Sequence, residues 1–370
     1  MHRGELAIHR AASGGAVAPP GPDQAKLSAG ARAAMEKGIR AETRRGYAGD
    51  WQRFEAWALG EGVCPLPCSA ESLTEYVTFL TVFPRPRTGM PYKPAPIERA
   101  MAAIAVAHKA AGLAPPGTTG ARLVLRGYER ELKENKDPRG RIAKAAAATP
   151  IILRTMIAHT DLTTPIGLRD AAALTNGFAL AARSSEAKLL DWEDAADVEQ
   201  GLEYDLYRPK VNNDQPLGVP YGAYSSTCPV RRLHAWRRCL LDLGHPATGP
   251  IYVRINRHGH INPPMTRRGK PIGDPSGRMT TEGIAEIVTR AAKRAGLMAV
   301  PDDLLPSLPP RWSGHSLRRG YAKAAREAKK DMLESGRHGG WADGSRAFAG
   351  YFDRAAIWDE ELNPLFGIGL

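Results

Sequence analysis

The sequence GHSLRRGYAKAA occupies residues 314–325 and gives the first indication of how the second half of the chain folds. Ser313 and Gly314 precede a helical pattern, which places His315 and Arg318 at positions i and i+3 near the N-terminal end of one helix face. The spacing H-x-x-R is common by chance, so its meaning depends on what the rest of the chain contains.

Two other segments carry cations or aromatic residues in a similar setting. The stretch GFALAARSSEAKLL, residues 177–190, places Arg183 in a turn after an apolar helix over Ala171–Leu180, with Glu186 at the start of the next helix. The stretch SGRHGGWADGSRAFAGYFDRA, residues 335–355, presents Trp341 after a Gly-Gly turn and Tyr351 ten residues later. Taken singly, such an arginine is usually solvated and such aromatic residues usually belong to a core.

One region alternates with a period of two residues and predicts strands. Leu202, Tyr204 and Leu206 form one strand, the turn Arg208–Asp214 contains Lys210, and Leu217–Pro220 returns. We expect another short strand at Ile251–Val253. The remaining predicted elements are helices over Pro229–Leu243, Thr281–Gly296, Ser316–Glu327 and Ser345–Phe352. Residues 150–370 are therefore expected to form an α+β domain with a small antiparallel sheet.

The first half of the chain is expected to be all-α. Residues 1–24, rich in Ala, Gly and Pro, predict a flexible arm, and residues 25–134 predict a four-helix domain. The helices are expected over Glu42–Leu59, from a capping box at Ser72 and Glu75, over Ile97–Ala111 with Gly112 as C-cap, and over Thr118–Lys133. Residues 135–149 predict a basic linker between the two domains.

Composition limits the class of protein further. The chain has 370 residues, of which 51 are Lys or Arg and 39 are Asp or Glu, so its formal net charge is +12. Such an excess favours a polyanionic partner, although a solvated basic surface is the alternative. With 43% hydrophobic residues, no apolar run of about 20 residues and no signal-peptide pattern, we expect a folded cytoplasmic protein.

Cysteine usage and motifs predict neither a metal nor a cofactor. The four cysteines are too few for a disulfide framework, and none has the neighbours that would complete a zinc site. Nucleotide-binding, zinc-protease and serine-hydrolase motifs do not occur in the sequence.

Taken together, the ordered residues are far more specific than any one of them. The series R-x-x-E, a turn lysine 27 residues after Arg183, H-x-x-R, GGW and a late tyrosine resembles the tyrosine recombinase (phage integrase) family over residues 165–355. The segments ETRRGYAGDWQRFEAWA and IERAMAAIAVAHKAAG resemble helices of that family's SAM-like core-binding domain. The interval from Trp341 to Tyr351 is one residue longer than is usual in the family, and His338 is a rival for the position of Trp341.

The resemblance implies a metal-free and ATP-free reaction that breaks and rejoins DNA through a 3′-phosphotyrosyl link. A phenol with a pKa near 10 needs a neutralised phosphate and a proton acceptor before it can attack. Two arginines would bind the non-bridging oxygens, a lysine would protonate the leaving 5′-oxygen, and a histidine would handle the tyrosine proton. The implied catalytic residues are Arg183, Lys210, His315, Arg318, Trp341 and Tyr351.

The same resemblance implies partners. We expect a double-stranded DNA recombination site, a homo-tetramer on DNA linked by a C-terminal exchange tail over about 355–370, and a possible accessory DNA-bending or directionality factor. The expected DNA contacts are Arg44, Arg45, Lys93, Arg139, Arg141 and Lys144.

Two other readings use the same residues. A type IB topoisomerase employs similar arginine, lysine, histidine and tyrosine chemistry, and a catalytically idle relative would only bind DNA. The task of the protein, whether integration, movement of another mobile element or resolution of dimers, is left open by the sequence.

Overall fold

The structure, a computed structural model, describes residues 41–86, 88–140, 144–299 and 311–351, together with residues 30, 38 and 365. The chain divides into two compact units, Met1–Ile142 and Ala143–Leu370. The predicted arm over 1–24 and, apart from residue 365, the predicted tail over 355–370 lie outside the described residues.

The described part of the first unit contains the four expected helices. They are α1 (Ala41–Gly60), α2 (Ala70–Val82), α3 (Pro94–Ala110) and α4 (Thr119–Glu134). Their apolar faces meet in a core that includes the fully buried Phe54, Leu73 and Ile104. Gly112 has φ +73°, which suits the residue that follows a helix C-cap.

The predicted capping box of α2 is wrong. The helix begins earlier, at Ala70, because Ser69 has the extended backbone of an N-cap and its side chain accepts a hydrogen bond from the Ser72 N–H at 3.0 Å. Ser72 therefore lies inside the first turn of the helix.

The segment predicted as a linker, 135–149, has ordered structure on both sides of residues 141–143, which lie outside the described residues. A 3₁₀ turn covers Pro138–Gly140. Further on, Ala146 and Ala148 are buried in the core of the second unit. Their N–H groups donate to the carbonyls of Arg311 and Ser316, each at 2.9 Å.

The second unit is mainly helical with a small antiparallel sheet, as the sequence predicts. Its longer helices are α5 (Pro150–Ala158), α6 (Pro165–Ala179), α8 (Pro229–Asp242), α9 (Thr281–Arg294) and α10 (His315–Glu327). Short helices are α7 (Ser184–Ala187), α11 (Met332–His338) and α12 (Arg346–Ala349).

The main sheet has the order β1 (Ala195–Val198), β2 (Gly201–Arg208) and β3 (Asn213–Pro220), with both pairs antiparallel. In the β2–β3 hairpin, Leu202 is opposite Val219 and Arg208 is opposite Asn213. A separate two-stranded ribbon joins β4 (Thr266–Arg267) to β5 (Lys270–Pro271).

Several predicted boundaries are wrong. Ile251–Val253 is not a strand: its only β pairing in the described chain is an isolated bridge from Val253 to Arg278. The helix expected over Ser345–Phe352 is confined to Arg346–Ala349, because Gly350 caps it. The sequence analysis did not predict α5, α11 or β1.

Candidate active site

Arg183 stands at the N-cap of α7, in the turn that follows α6. Its backbone N–H donates to Oε2 of Glu186 at 2.9 Å, and its Nη1 donates to Oε1 of the same carboxylate. Glu186 is fully buried, whereas the Arg183 side chain is 17% exposed. Among the described residues, only Nη1 of the Arg183 guanidinium has a hydrogen-bond partner. The rest of the guanidinium is therefore available to a ligand.

Lys210 lies in the turn between β2 and β3, as predicted, and its side chain is exposed. Arg208, the last residue of β2, directly precedes this turn, and its side chain is buried. Arg208 donates from Nη1 to Glu186 Oε2 at 2.8 Å and from Nε to Gln215 Oε1 at 2.6 Å. Burial lowers the pKa of Arg208, partly offset by Glu186.

His315 is the first residue of α10, and its side chain reaches the surface. The residue before it packs tightly against α7: a Cβ on Gly314 would lie 1.8 Å from Ser184 Oγ. This close approach brings the start of α10 to the turn that carries Arg183. Desolvation, followed by the positive charges of Arg318, Arg183 and Lys210, lowers the pKa of His315. The imidazole is therefore neutral at neutral pH, the form that can accept a proton.

Arg318 follows one helical turn later and is buried. Its Nη1 donates to Ala181 O at 2.6 Å and to Gly339 O. Its Nη2 is also buried and has no hydrogen-bond partner among the described residues. Burial, and next the charge of Arg183, lower the pKa of Arg318 to about 9. A buried donor without a partner beside a second guanidinium is a site that an anion would stabilise.

Trp341 lies against this guanidinium. The Cζ atom of Arg318 is 3.5 Å from the centroid of the Trp341 ring, which also packs on Phe348 at 4.6 Å and meets Tyr351 edge-on at 5.9 Å. Tyr351 is half-buried and close enough to Arg318 for its phenol to influence the pKa of that guanidinium.

The two glycines before Trp341 are required by the geometry of the turn. Gly340 has φ +66°, and a Cβ there would lie 2.5 Å from Arg208 Cδ. At Gly339 an added Cβ would lie 1.8 Å from the Trp341 ring. The motif GGW therefore lets the backbone pass between two large side chains.

His338, the rival of Trp341 in the sequence, has a different environment. Its Nε2 lies 2.7 Å from Ala179 O, and its ring stacks on Tyr321 at 4.9 Å. Burial lowers the pKa of His338 and raises that of Tyr321. The structure thus places Trp341, rather than His338, on the Arg318 guanidinium.

The residues expected to contact DNA have different surroundings. Arg44, Arg45 and Lys93 are exposed, and Arg141 lies outside the described residues. Arg139 pairs with Asp137 at 2.7 Å and donates to Tyr128 Oη at 3.2 Å. Lys144 donates to the carbonyl of Gly350 at 2.5 Å, directly before Tyr351. Arg139 and Lys144 thus already make hydrogen bonds or ion pairs within the protein.

Arg208 was missed by sequence reasoning, which assigned it to a turn. A signal was present: residues 202, 204 and 206 alternate inward, and continuing that alternation by one step puts residue 208 on the buried face. All four cysteines are free. The described residues include no cluster of three or more His, Cys, Asp or Glu side chains suited to a metal ion, and no helix long and apolar enough to cross a bilayer.

Comparison with known proteins gives a sequence relative and several distant structural ones. No family model matches the chain. An integrase/recombinase XerD homolog from Selenomonas ruminantium is 28% identical over 314 residues, covering 83% of this chain and 80% of that protein. A lambda integrase dimer bound to a COC′ core site has a TM-score of 0.45 and 13% identity, covering 88% of this chain and 75% of that one. The XerH recombinase in a post-cleavage complex with difH has a TM-score of 0.43 and 12% identity, covering 79% and 70%.

The sequence relative extends over both units, and the residues that carry the resemblance come together in the second. The chain is therefore similar to the tyrosine recombinase family, the family that the ordered motifs resemble.

Proposed function

We propose that this protein is a site-specific DNA recombinase that cuts and rejoins strands through a 3′-phosphotyrosyl intermediate at Tyr351. The observation that carries the proposal is the buried Nη2 of Arg318, which has no partner within the described part of the chain. Its guanidinium lies against the Trp341 ring and within reach of the charge of Arg183. A scissile phosphate would supply the missing acceptor. Its charge would also offset the repulsion between the two guanidiniums.

Each of the other predicted catalytic residues then has a role in strand cleavage. Arg183 and Arg318 hold the two non-bridging oxygens and stabilise the pentacoordinate transition state. Tyr351 Oη attacks phosphorus, and neutral His315 accepts the phenolic proton. Lys210, on its exposed turn, donates a proton to the departing 5′-oxygen. The phosphotyrosyl ester conserves the energy of the broken bond, so a 5′-hydroxyl can attack it and rejoin the strand without ATP or a metal.

Double-stranded DNA is the proposed partner, with the exposed cations of the first unit on its backbone. Assembly of four subunits on paired sites, an accessory factor, and a location with the chromosome in the cytoplasm all belong to this proposal. A type IB topoisomerase and an idle DNA-binding protein are the competing functions.

The decisive experiment uses a suicide duplex carrying a site selected from a random-sequence pool by binding to the full-length protein. Wild-type protein should form a covalent adduct on this duplex, and Tyr351→Phe should bind it equally well without forming one. Tyr321→Phe is the matched control, because Tyr321 is stacked on His338 and should remain dispensable for the adduct.

The competing functions give different results. Relaxation of supercoiled plasmids that lack the site would favour the topoisomerase. Tight binding with no adduct from wild-type protein would favour the idle binding protein. An adduct formed by Tyr351→Phe would remove Tyr351 from the reaction.

A further inference from the structure

We propose that Arg208 is a positioning residue that keeps the Arg183 guanidinium open to phosphate by sharing the Glu186 carboxylate with it. This inference rests on the proposed function above and adds a residue that the ordered motifs do not contain. The buried Glu186 carboxylate has a guanidinium on each oxygen: Oε1 accepts from Arg183 Nη1, and Oε2 accepts from Arg208 Nη1 at 2.8 Å. Oε2 also accepts from the backbone N–H of Arg183 at 2.9 Å.

The sharing of Glu186 between the two arginines matters because a guanidinium and a carboxylate prefer to pair through two parallel hydrogen bonds. Without Arg208, Glu186 Oε2 would keep only the backbone N–H of Arg183 as a donor, and it could then also accept a hydrogen bond from the Arg183 guanidinium. A second donor of Arg183 would then be taken up, and its charge would be neutralised before any phosphate arrived. By donating to Oε2 beside the backbone N–H of Arg183, Arg208 limits the Arg183 guanidinium to one hydrogen bond with Glu186 and leaves its remaining donors for a ligand.

Arg208 is itself held too firmly to serve as a phosphate ligand. Its side chain is only 1% exposed. Its Nη2 donates to His338 O at 2.7 Å and to Leu180 O at 3.3 Å, and its Nε donates to Gln215. All three guanidinium nitrogens are thus used within the protein. A Cβ at Gly340 would strike its side chain, so the turn before Trp341 also packs on it.

These contacts connect three segments that carry proposed catalytic residues and must be correctly positioned relative to one another. They are the turn of Arg183 and Glu186, the hairpin that carries Lys210, and the turn from His338 to Trp341. Any of the three could in principle be the segment through which Arg208 acts. The shared carboxylate favours Arg183, because that contact determines how many of its donors remain available.

The test compares Arg208→Gln and Arg208→Lys with Arg169→Gln. Arg169 is an equally buried arginine of the same unit, paired with Asp170 and Val253 O instead of Glu186, and so controls for the loss of a buried ion pair. Arg208→Gln should bind the selected site within about threefold of wild type. Its cleavage rate at saturating protein should fall about a hundredfold, the scale for a catalytic group misplaced by about 1 Å. Arg208→Lys should recover part of that rate, and Arg169→Gln should cleave normally once folded.

Two further measurements separate Arg183 from Lys210. A duplex with sulfur in place of the leaving 5′-oxygen needs no proton donor, so it should rescue Lys210→Ala and fail to rescue Arg208→Gln. In an Arg183→Lys background, Arg208→Gln should have little additional effect, since the two would act as one unit. Rescue by sulfur, or full additivity with Arg183→Lys, would overturn the proposal.

A measurement on the protein alone keeps the inference independent of catalysis. In ¹⁵N spectra of arginine side chains, Arg208→Gln should shift the Arg183 guanidinium resonances and slow their hydrogen exchange, because the pair with Glu186 becomes tighter. Unchanged Arg183 resonances would contradict the positioning role. Failure of the wild-type protein to form any adduct would contradict the proposed function, and the spectra would still decide the role of Arg208.

Discussion

The guanidinium of Arg318 lies over the ring of Trp341, with its Cζ atom 3.5 Å from the ring centroid. The ring face compensates part of the cost of burying the cation without occupying its donors, since a cation–π contact uses no N–H group. Nη1 is used by two backbone carbonyls, and Nη2 stays unpartnered among the described residues. The Arg318 side chain is therefore held in place while its Nη2 remains able to donate to a ligand.

We expect Trp341→Ala to lower the free energy of unfolding by about 3–5 kcal/mol, because it removes a buried ring that packs on Phe348 and Arg318. Trp341→Phe keeps an aromatic face and should lose less stability. Urea denaturation and single-turnover cleavage measure both effects. Trp312→Phe is the control: Trp312 is as buried but lies in the main core, so cleavage by the folded variant should be normal.

Removing either proposed phosphate-binding arginine should slow cleavage far more than binding. We expect Arg183→Ala and Arg318→Ala each to reduce the rate of adduct formation by about two to three orders of magnitude, the scale for one lost oxyanion donor. Arg237→Ala, which removes an exposed arginine paired with Asp197, should have no effect. Near-normal adduct formation by either site variant would exclude that arginine from the reaction.

His315 should titrate below its ordinary pKa of 6.5 in the free protein, because desolvation and neighbouring cations disfavour its charged form. The unfolded chain then binds the proton more readily than the folded protein. Stability should therefore be unaffected above pH 6.5 and should decrease as the pH falls from 6.5 to the folded-state pKa. Imidazole NMR titration measures the shift, and DNA binding should move the pKa upward. A free-protein pKa above 6.5 would contradict the arrangement of charges around His315.

Two glycines of the Trp341 segment make a matched pair. Gly340 and Gly344 both have positive φ, +66° and +71°, but only at Gly340 would a Cβ collide with a neighbour, the Arg208 side chain. Gly344→Ala should cost about 1 kcal/mol of stability from backbone strain alone. Gly340→Ala should cost more and should also slow cleavage. Equal losses in thermal unfolding would mean that the contact with Arg208 imposes no constraint.

DNA affinity should depend steeply on salt, with each phosphate contact contributing about 0.9 to the slope of log K against log salt concentration. Lys93→Gln removes an exposed cation and should lower that slope by about one contact. Arg139→Gln should change it less, because Asp137 already pairs with Arg139. Fluorescence anisotropy across a salt series measures both slopes. A larger change for Arg139 than for Lys93 would show that the ion pair opens on DNA.

Strong local patterns were enough to predict much of the fold. The aromatic spacing of Tyr47, Trp51 and Phe54 predicts a helix over Glu42–Leu59, and α1 covers Ala41–Gly60. The alternation at Leu202, Tyr204 and Leu206 predicts β2. In both cases the apolar period identifies the element, since one face must be buried. The R-x-x-E, H-x-x-R and GGW motifs, with the turn lysine and the late tyrosine, likewise predict the candidate catalytic residues.

Weak or short patterns needed the tertiary structure. Ile251–Val253 has the composition of a strand, but it lies in the core, and within the described chain its only β pairing is the bridge from Val253 to Arg278. Its Ile251 carbonyl instead accepts from Trp236 Nε1 at 2.8 Å. The capping residue of α2 was misassigned because two serines, Ser69 and Ser72, lie three residues apart at the start of that helix. The extended backbone of Ser69 and its hydrogen bond from the Ser72 N–H identify Ser69 as the N-cap.

The sequence by itself determined the order of the residues that are predicted to be catalytic: two arginines, a lysine, a histidine, a tryptophan and a tyrosine. Only the tertiary structure decided that Trp341 rather than His338 faces Arg318, and that Glu186 is divided between Arg183 and Arg208. The reason is physical. Motif order depends on the identity of each residue alone, whereas the sharing of one carboxylate depends on burial and on distances between segments far apart in sequence.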